Sequence, residues 1–414
     1  MRILYVVPFV PWPARVRSHN LIPRLAQRHS IDLICAVQSE TDLDRLEAMQ
    51  DVCSTVRYGT FSLPGALVRC ALALPTPTPL RIAYVSSKSM RAAVKKAMMV
   101  NRPDVIYCER WRALQYIPQD CDVPIVCDPT DSMLLYNRRA RTRGHWWEKL
   151  AAVEEAFKFR KYEPWLARQV DAAVYCSSVD LDAIRQLARD ANLAVIGNGV
   201  DTRKYHVKNP SEEECGLLVF TGSFTYSPNR WAVEWFLENV FPLVLRAVPS
   251  ARLSIVGNQA RRHLSRWRDS KAVEIRDFVP DLRPFIAAAT VSIAPIQVGV
   301  GVTNKVLEAF ATGTAVVATS VACGDLPVRD GEHLLLANDS IAFANATVRL
   351  LEDASLRERI TAAARSAVEQ EFEWDVIVEK LEELMKDVAG KRLRRPAKVG
   401  QEVMPNAVSE LMKR

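Results

Sequence analysis

The feature that most constrains the fold is an alternation of short β-branched runs with amphipathic segments, which runs once, pauses and starts again. Strand patterns at 3–7, 31–37, 104–108, 123–127, 172–176 and 194–196 are interleaved with helical patterns at 17–29, 89–100, 147–168 and 179–191. The second series has strand patterns at 217–221, 252–256, 272–275, 291–294, 315–318 and 333–336, with helical patterns at 229–248, 282–289, 303–312, 340–352 and 355–371. Parallel strands need crossovers long enough to hold a helix, so this rhythm specifies α/β architecture with helices on both faces of a parallel sheet. Two doubly wound units in tandem account for it, and 414 residues suit two or three domains. The join falls in 197–215, where Asn, Gly, Pro and a Glu run cluster. The expected boundaries are 1–195, 196–372, a final helix at 373–390 that packs back on the first domain, and a basic, disordered tail at 391–414.

Glycine is scarce, at 15 residues, and its placement excludes one class of function. The turn after the first strand reads Pro8-Phe9-Val10-Pro11-Trp12-Pro13. A dinucleotide site needs glycines there to let backbone approach a pyrophosphate, so no such cofactor is expected in the first half. The nine cysteines include no CxxC pair and the six histidines form no cluster, so no metal site is expected and the thiols read as reduced, in a cytoplasmic protein. The opening apolar run, broken by prolines and a tryptophan, reads as a first strand rather than a signal peptide. No apolar run reaches the ~18 residues that a spanning helix needs. The net charge of +7 is concentrated in 137–149 (NRRARTRGHWWEK) and in 391–398 (KRLRRPAK).

In open α/β sheets, ligands gather beyond the carboxyl ends of the strands. The most informative turn there is 295–319, PIQVGVGVTNKVLEAFATGTAVVAT. Gly299 and Gly301 lead from a strand into a helix opened by Thr303 and Asn304. Free N–H groups at a helix start favour phosphate. Lys305 sits in the first turn, where a cation is disfavoured unless an anion neutralises it. Glu308 is three residues on, on the same face, and can accept hydrogen bonds from vicinal hydroxyls. An ordinary surface Lys–Glu pair with the glycines merely turning the chain is the plainer alternative. In the first half, Arg15, Arg17, Ser18 and His19 open the first helix and can meet an anionic or hydroxyl-rich ligand, or simply face solvent. Asp128 and Asp131 follow an apolar strand; they can bind acceptor hydroxyls and take up a proton, or they can cap and turn the chain. Glu109 ends another strand, where a salt bridge with Arg110 or Arg112 is its simpler fate.

The segment 295–319 resembles the nucleotide-sugar site of the retaining, group 1 (family 4) glycosyltransferases of GT-B fold. Further matches fall in order: Val195-Ile196-Gly197-Asn198-Gly199-Val200-Asp201; Phe220-Thr221-Gly222-Ser223 with Ser227-Pro228-Asn229; Ile255-Val256-Gly257; Phe278-Val279-Pro280-Asp281-Leu282; and Arg329-Asp330-Gly331-Glu332-His333. The resemblance covers about residues 190–385 strongly and the first half collinearly, closest to a subgroup associated with bacterial exopolysaccharide and envelope sugar assembly. It implies two Rossmann-like domains facing across a cleft, with the acceptor in the first and a nucleoside-diphosphate sugar in the second. Transfer would be retaining and free of bound metal and of any cofactor. It carries Gly222, Asn229, Arg230, Val279, Gly299, Gly301, Thr303, Asn304, Lys305 and Glu308 into donor binding. Lys305 and Glu308, with Asp128 and His19 on the acceptor side, are the candidate catalytic residues.

The chain also departs from the family pattern. Many members carry two glutamates eight positions apart; the second matches Glu308, but Val300 stands at the first. An inactive glycosyltransferase-like scaffold is therefore one alternative reading; a nucleotide-sugar epimerase of the same fold, using acids within the cleft for proton transfer, is another. Expected partners are the nucleotide-sugar donor, a glycan or lipid-linked acceptor, and an anionic membrane surface met by 138–147, which holds Arg138, Arg139, Arg141, Trp146 and Trp147. This would place the protein in the cytoplasm, peripheral on the inner face of the cell membrane. No nucleic acid is expected, because no RNA-binding aromatic motif or helix-turn-helix accompanies the charge.

Overall fold

The computed structural model describes residues 1–142, 144–299, 301 and 303–392. The described chain divides into two units. One comprises 1–138, 150–196 and the residues from 378; the other comprises 139–149 and 197–377. The segment 139–149, expected in the first domain, thus belongs with the second. Val300, Arg143 and the tail beyond 392 lie outside the described residues.

The first unit holds a seven-stranded sheet: β1 (Arg2–Val7), β2 (Ser30–Val37), β3 (Thr55–Thr60), β4 (Val105–Glu109), β5 (Ile125–Thr130), β6 (Ala172–Tyr175) and β7 (Leu193–Val195). Its order is β3-β2-β1-β4-β5-β6-β7, with every pairing parallel. The central strands are continuous apolar runs because helices cover both their faces. Ile3, Val6, Ile106, Cys108, Val126 and Val174 are fully buried. β3 escapes the apolar pattern. Its sequence TVRYGT lies at the sheet edge with most positions part-exposed, so burial does not demand alternation there.

The second unit repeats the plan with six strands: β8 (Glu214–Thr221), β9 (Arg252–Val256), β10 (Val273–Arg276), β11 (Ala289–Ala294), β12 (Ala315–Ala318) and β13 (Leu335–Leu336). Its order is β10-β9-β8-β11-β12-β13, again parallel throughout. Its core joins Phe220, Phe236, Ile255, Ile293, Phe310 and Phe343. In both sheets the order reverses beside the first strand, between β1 and β4 and between β8 and β11. Those reversals open a crevice at the carboxyl ends of the strands, where a doubly wound sheet binds ligand. The last helix, Trp374–Arg392, is shared: its residues to 377 belong to the second unit and those from 378 to the first. In the first unit its Glu382 meets Arg28 at 3.2 Å and His29 at 3.2 Å.

Candidate nucleotide-sugar site

At the switch point of the second sheet, β8 ends in Thr221 and the chain turns through Gly222. Gly222 has φ 154, and a Cβ on it would meet the Asn229 amide at 2.8 Å. At the end of β9, a Cβ on Gly257 would lie 1.8 Å from the Gly222 carbonyl oxygen, so only glycine lets the two turns nest. The helix Ser227–Trp235 then brings Asn229 back over the turn. Asn229 Nδ2 donates to the Ser223 carbonyl at 2.9 Å, which leaves Oδ1 to accept Lys305 Nζ at 3.0 Å. That bond ties the turn after β8 to the helix Asn304–Thr312, which follows β11.

Lys305 is 8% exposed. The Phe220 ring centroid lies 4.8 Å from Nζ, and among the described residues Lys305 makes no ion pair. Burial pushes its pKa down to about 8, against the opposing pull of Glu308. Glu308 is half-buried; burial raises its pKa, while Lys305 and a hydrogen bond from the Tyr205 hydroxyl oppose the rise. Thr303 precedes the helix with no side-chain cap; its N–H and Oγ1 both donate to the Ala322 carbonyl, at 3.1 and 3.0 Å. Asn304 Oδ1 is buried without a hydrogen-bond partner. Gly301, with φ 70, and Gly299 complete the loop, and the Gly299 carbonyl accepts from Arg139. The helix ends at Gly313, φ 72, the left-handed stop that its Gly turn anticipates.

The structure thus brings together Gly222, Asn229, Lys305 and Glu308, with the glycine loop and helix start beside them. Arg230 is differently engaged: its Nη2 pairs with Glu148 Oε1 at 2.7 Å. Val279 lies half-buried in the loop after β10, two strands from β8. Sequence reasoning missed Phe220, Tyr205, Arg139 and Glu148. The last two sit in a segment whose basic and aromatic composition pointed outward.

In the first unit, Asp128 stands at the carboxyl end of β5 and is 0% exposed. It receives Arg17 Nε at 2.5 Å, the Tyr107 hydroxyl and Thr130 Oγ1. Arg17 also donates to the Ile196 carbonyl at 3.0 Å. Both Asp128 oxygens are therefore held by protein groups, and Asp128 anchors Arg17. Glu109 takes the Tyr5 hydroxyl at 2.8 Å, and Arg110 pairs instead with Asp131 at 3.1 Å. Burial, then Asp128, raises Glu109 to about 7. Asp131 does not cap the next helix; Ser132 Oγ accepts the Leu135 N–H there. Arg110 (φ 71) and Thr130 (φ 70) hold left-handed backbone in this same cluster, an unfavourable geometry for side-chain-bearing residues, above all for β-branched threonine. His19 is half-buried in the helix Val16–Ala26, two residues after Arg17. Among the described residues no group of His, Cys, Asp and Glu is arranged to hold a metal, and no helix is long and apolar enough to cross a membrane.

Comparison with known proteins places this geometry. Residues 215–353 match the family Glycosyl transferases group 1. Over 159 residues the chain is 33% identical to phosphatidyl-myo-inositol mannosyltransferase of Mycobacterium leprae, a match that spans 37% of this chain and 42% of that protein. It is 21% identical to an uncharacterized 44.6 kDa protein in the cps region of Klebsiella pneumoniae, over 90% of this chain and 96% of that one. Among solved structures, Anabaena HepE in complex with UDP-glucose superposes with TM-score 0.66 at 18% identity, covering 94% of this chain and 100% of HepE. Sucrose-phosphate synthase of Thermosynechococcus elongatus superposes with TM-score 0.68 at 15% identity, covering 94% and 100%. Residues 215–353 thus form a Glycosyl transferases group 1 domain, in a chain whose fold is that of the GT-B glycosyltransferases it superposes on.

Proposed function

We propose that the second unit holds a uridine-type nucleoside-diphosphate sugar and that transfer proceeds with retention, without metal or other cofactor, in polysaccharide or envelope glycan assembly. The observation that carries this reading is Lys305, a buried cation beside a helix start whose ammonium donates to the neutral Asn229 amide oxygen and lies over the Phe220 ring, with Glu308 one turn away. A buried, unpaired ammonium is costly, and the diphosphate is the counter-ion that removes the cost. The Lys305 ammonium and the backbone N–H groups of the helix start at Asn304 and Lys305 would hold the leaving diphosphate as its charge grows. Asn229 fixes the ammonium, Glu308 binds the ribose hydroxyls, the glycine loop admits the phosphates and the Val279 backbone meets the base. Uracil is the first base to test because HepE, of the same fold, was solved with UDP-glucose.

The first unit would take the acceptor, and the helix Trp146–Gln169, whose first turn belongs to the second unit, would lie on an anionic membrane surface. The helix Trp146–Gln169 buries Ala152, Phe159 and Leu166 on one side. On the other it exposes Trp146 (72%), Leu150 (63%), Val153 and Phe157 (75%), at the spacing of a single helical stripe. Exposed Lys149 and Lys161 flank that stripe. A helix that is apolar on both faces wants a partner on the outer one, and flanking cations suit lipid phosphate.

The decisive experiment measures melting temperature and nucleotide release with UDP-, GDP-, ADP- and dTDP-sugars. A UDP-sugar should raise the melting temperature and, with acceptor, release UDP; Lys305→Ala should abolish both. No stabilisation by any nucleotide sugar would sink the donor assignment. Retention of the released nucleotide's sugar on a second molecule separates transfer from epimerisation.

A further inference from the structure

In the first unit a cavity of about 450 Å³ opens beyond the carboxyl end of β3. Thr60, Ser62, Arg69, Ser87, Arg91 and Gln115 line it. Its two guanidinium groups are held from behind. Arg69 donates through Nε to the Ala83 carbonyl at 3.2 Å and through Nη2 to the Tyr84 carbonyl at 3.1 Å. Arg91 donates through Nε to the Gln115 carbonyl at 3.2 Å and through Nη2 to Ser86 Oγ at 2.8 Å. Among the described residues neither has a carboxylate partner. A third arginine, Arg112, is half-buried one turn from Gln115, whose amide donates to the Arg112 carbonyl at 3.0 Å. Among the described residues the Arg112 side chain makes no hydrogen bond and no ion pair.

The surrounding electrostatics are one-sided. Burial, then Arg110, Arg81 and Arg15, push Arg112 down to about 10, and Arg91 is lowered by burial and by Arg69. Arg81 and Arg110, by contrast, each pair with a carboxylate, at Glu155 and Asp131. Of the arginines in this region, Arg69 and Arg91 line the cavity, and among the described residues they have no counter-ion. Uncompensated guanidinium groups in a partly dry pocket are unfavourable unless a ligand supplies the charge. Their fork geometry matches phosphoryl oxygens, and the lining hydroxyls can donate to the oxygens that remain.

We propose that this cavity binds the phosphoryl group of the acceptor, which makes the acceptor a phosphorylated molecule. The inference rests on the transferase reading, in which the first unit receives the acceptor. The helix Leu63–Ala73, which supplies Arg69, also exposes Leu63 and Leu67, so an apolar tail on the phosphoryl group would find a surface to lie on.

The test is calorimetric titration of the full chain saturated with UDP, so that the Lys305 site is filled. The probes are inorganic pyrophosphate, geranyl diphosphate and, as a non-phosphate polyanion, citrate. Pyrophosphate should bind, and Arg91→Gln and Arg69→Gln should each weaken it about tenfold, while UDP affinity stays unchanged. Arg91→Lys keeps the charge and should lose less than Arg91→Gln, a comparison that stands even if Arg69→Gln does not fold. Tighter binding of geranyl diphosphate identifies a lipid-borne phosphate; equal binding identifies a soluble one. Pyrophosphate affinity untouched by Arg91→Gln and Arg69→Gln overturns the site. Citrate binding as tightly, with the same dependence, overturns its phosphoryl character. Failure of UDP itself to bind strikes the transferase reading and leaves the pyrophosphate result to stand alone.

Discussion

Glu148 holds Arg230 in a 2.7 Å ion pair, and both residues belong to the second unit although Glu148 lies 82 positions earlier in the chain. Glu148 is itself fixed by the His145 N–H at 2.8 Å, and these contacts pull its pKa below the usual carboxylate value against burial. The charge expected to face donor phosphates is thus already engaged by an acid from the segment 139–149. The same segment donates from Arg139 to the Gly299 carbonyl in the glycine loop. Sequence placed Arg230 correctly on its helix but had no means of seeing this partner, because the pairing is a long-range one.

Freeing Arg230 should strengthen donor binding. Glu148→Gln keeps the size of the side chain and removes the competing charge, so UDP should bind about three- to tenfold more tightly, in line with the worth of one charge-assisted hydrogen bond. Arg230→Ala should weaken UDP binding and cancel the gain in the double variant. Unchanged UDP affinity in Glu148→Gln would mean that Arg230 never leaves its partner for phosphate.

Lys305 should give donor binding a signature in pH. With its pKa near 8, the ammonium is lost as pH rises through that value, so UDP affinity should fall between pH 7 and 9 by up to about tenfold. Lys305→Arg keeps its charge throughout this window and should flatten the profile; UDP's own ionisation is common to both proteins and cancels in their ratio. Stability moves the opposite way. Between about 8 and the ordinary lysine value of 10.5, the unfolded chain holds a proton that the folded one has released, so folding stability rises with pH there. The full effect is on the order of 3 kcal/mol, readable from denaturant midpoints of wild type against Lys305→Met.

The legible parts of the molecule were those that local chemistry dictates. Central strands buried on both faces must be apolar, so β1, β2, β4, β8, β9, β11 and β12 stand out in the sequence. β3 does not, since an edge strand with part-exposed positions carries no such demand. The helix at 229–248 reads as one, yet it passes through a wider turn at Phe236–Val240 before Pro242. In the site, Gly222, Gly301 and Gly313 announced themselves because each has a positive φ. Asn229 and Lys305 were both singled out, but their mutual hydrogen bond depends on β8 and β11 being neighbours, a topological fact. Asp128 shows the limit from the other side. A carboxylate after an apolar strand looks like a site residue, and only the three-dimensional approach of Arg17, Tyr107 and Thr130 reveals an anchor.

That anchor predicts a loss of stability rather than of chemistry alone. Asp128→Ala removes the buried carboxylate to which Arg17, at 3% exposure, donates, a loss that costs about 3–5 kcal/mol. Arg17→Met combined with Asp128→Leu removes both charges and should recover most of the loss, as seen in urea midpoints. A catalytic base would behave differently: Asp128→Ala would keep its midpoint and lose turnover, and the double variant would recover nothing.

Glu109 and Glu163 should make the first unit less stable as pH rises from acid to neutral. Each is fully buried and raised to about 7, with burial as the leading cause in both. Glu163 is the better solvated of the two by protein groups, accepting from Trp111 Nε1, the Leu134 N–H, Ser132 Oγ and the Tyr175 hydroxyl. Between about 4.5 and 7 the folded chain keeps protons that the unfolded chain has given up, so stability falls across that window and levels off above it. Glu109→Gln should remove its share, on the order of 3 kcal/mol at pH 8, provided the Tyr5 hydroxyl donates to the amide oxygen in place of the carboxylate. The measurement is the urea midpoint at pH 5 and at pH 8 for wild type and variant. Wild type should lose stability between the two and Glu109→Gln should lose less; equal losses would show that Glu109 ionises without penalty despite its burial.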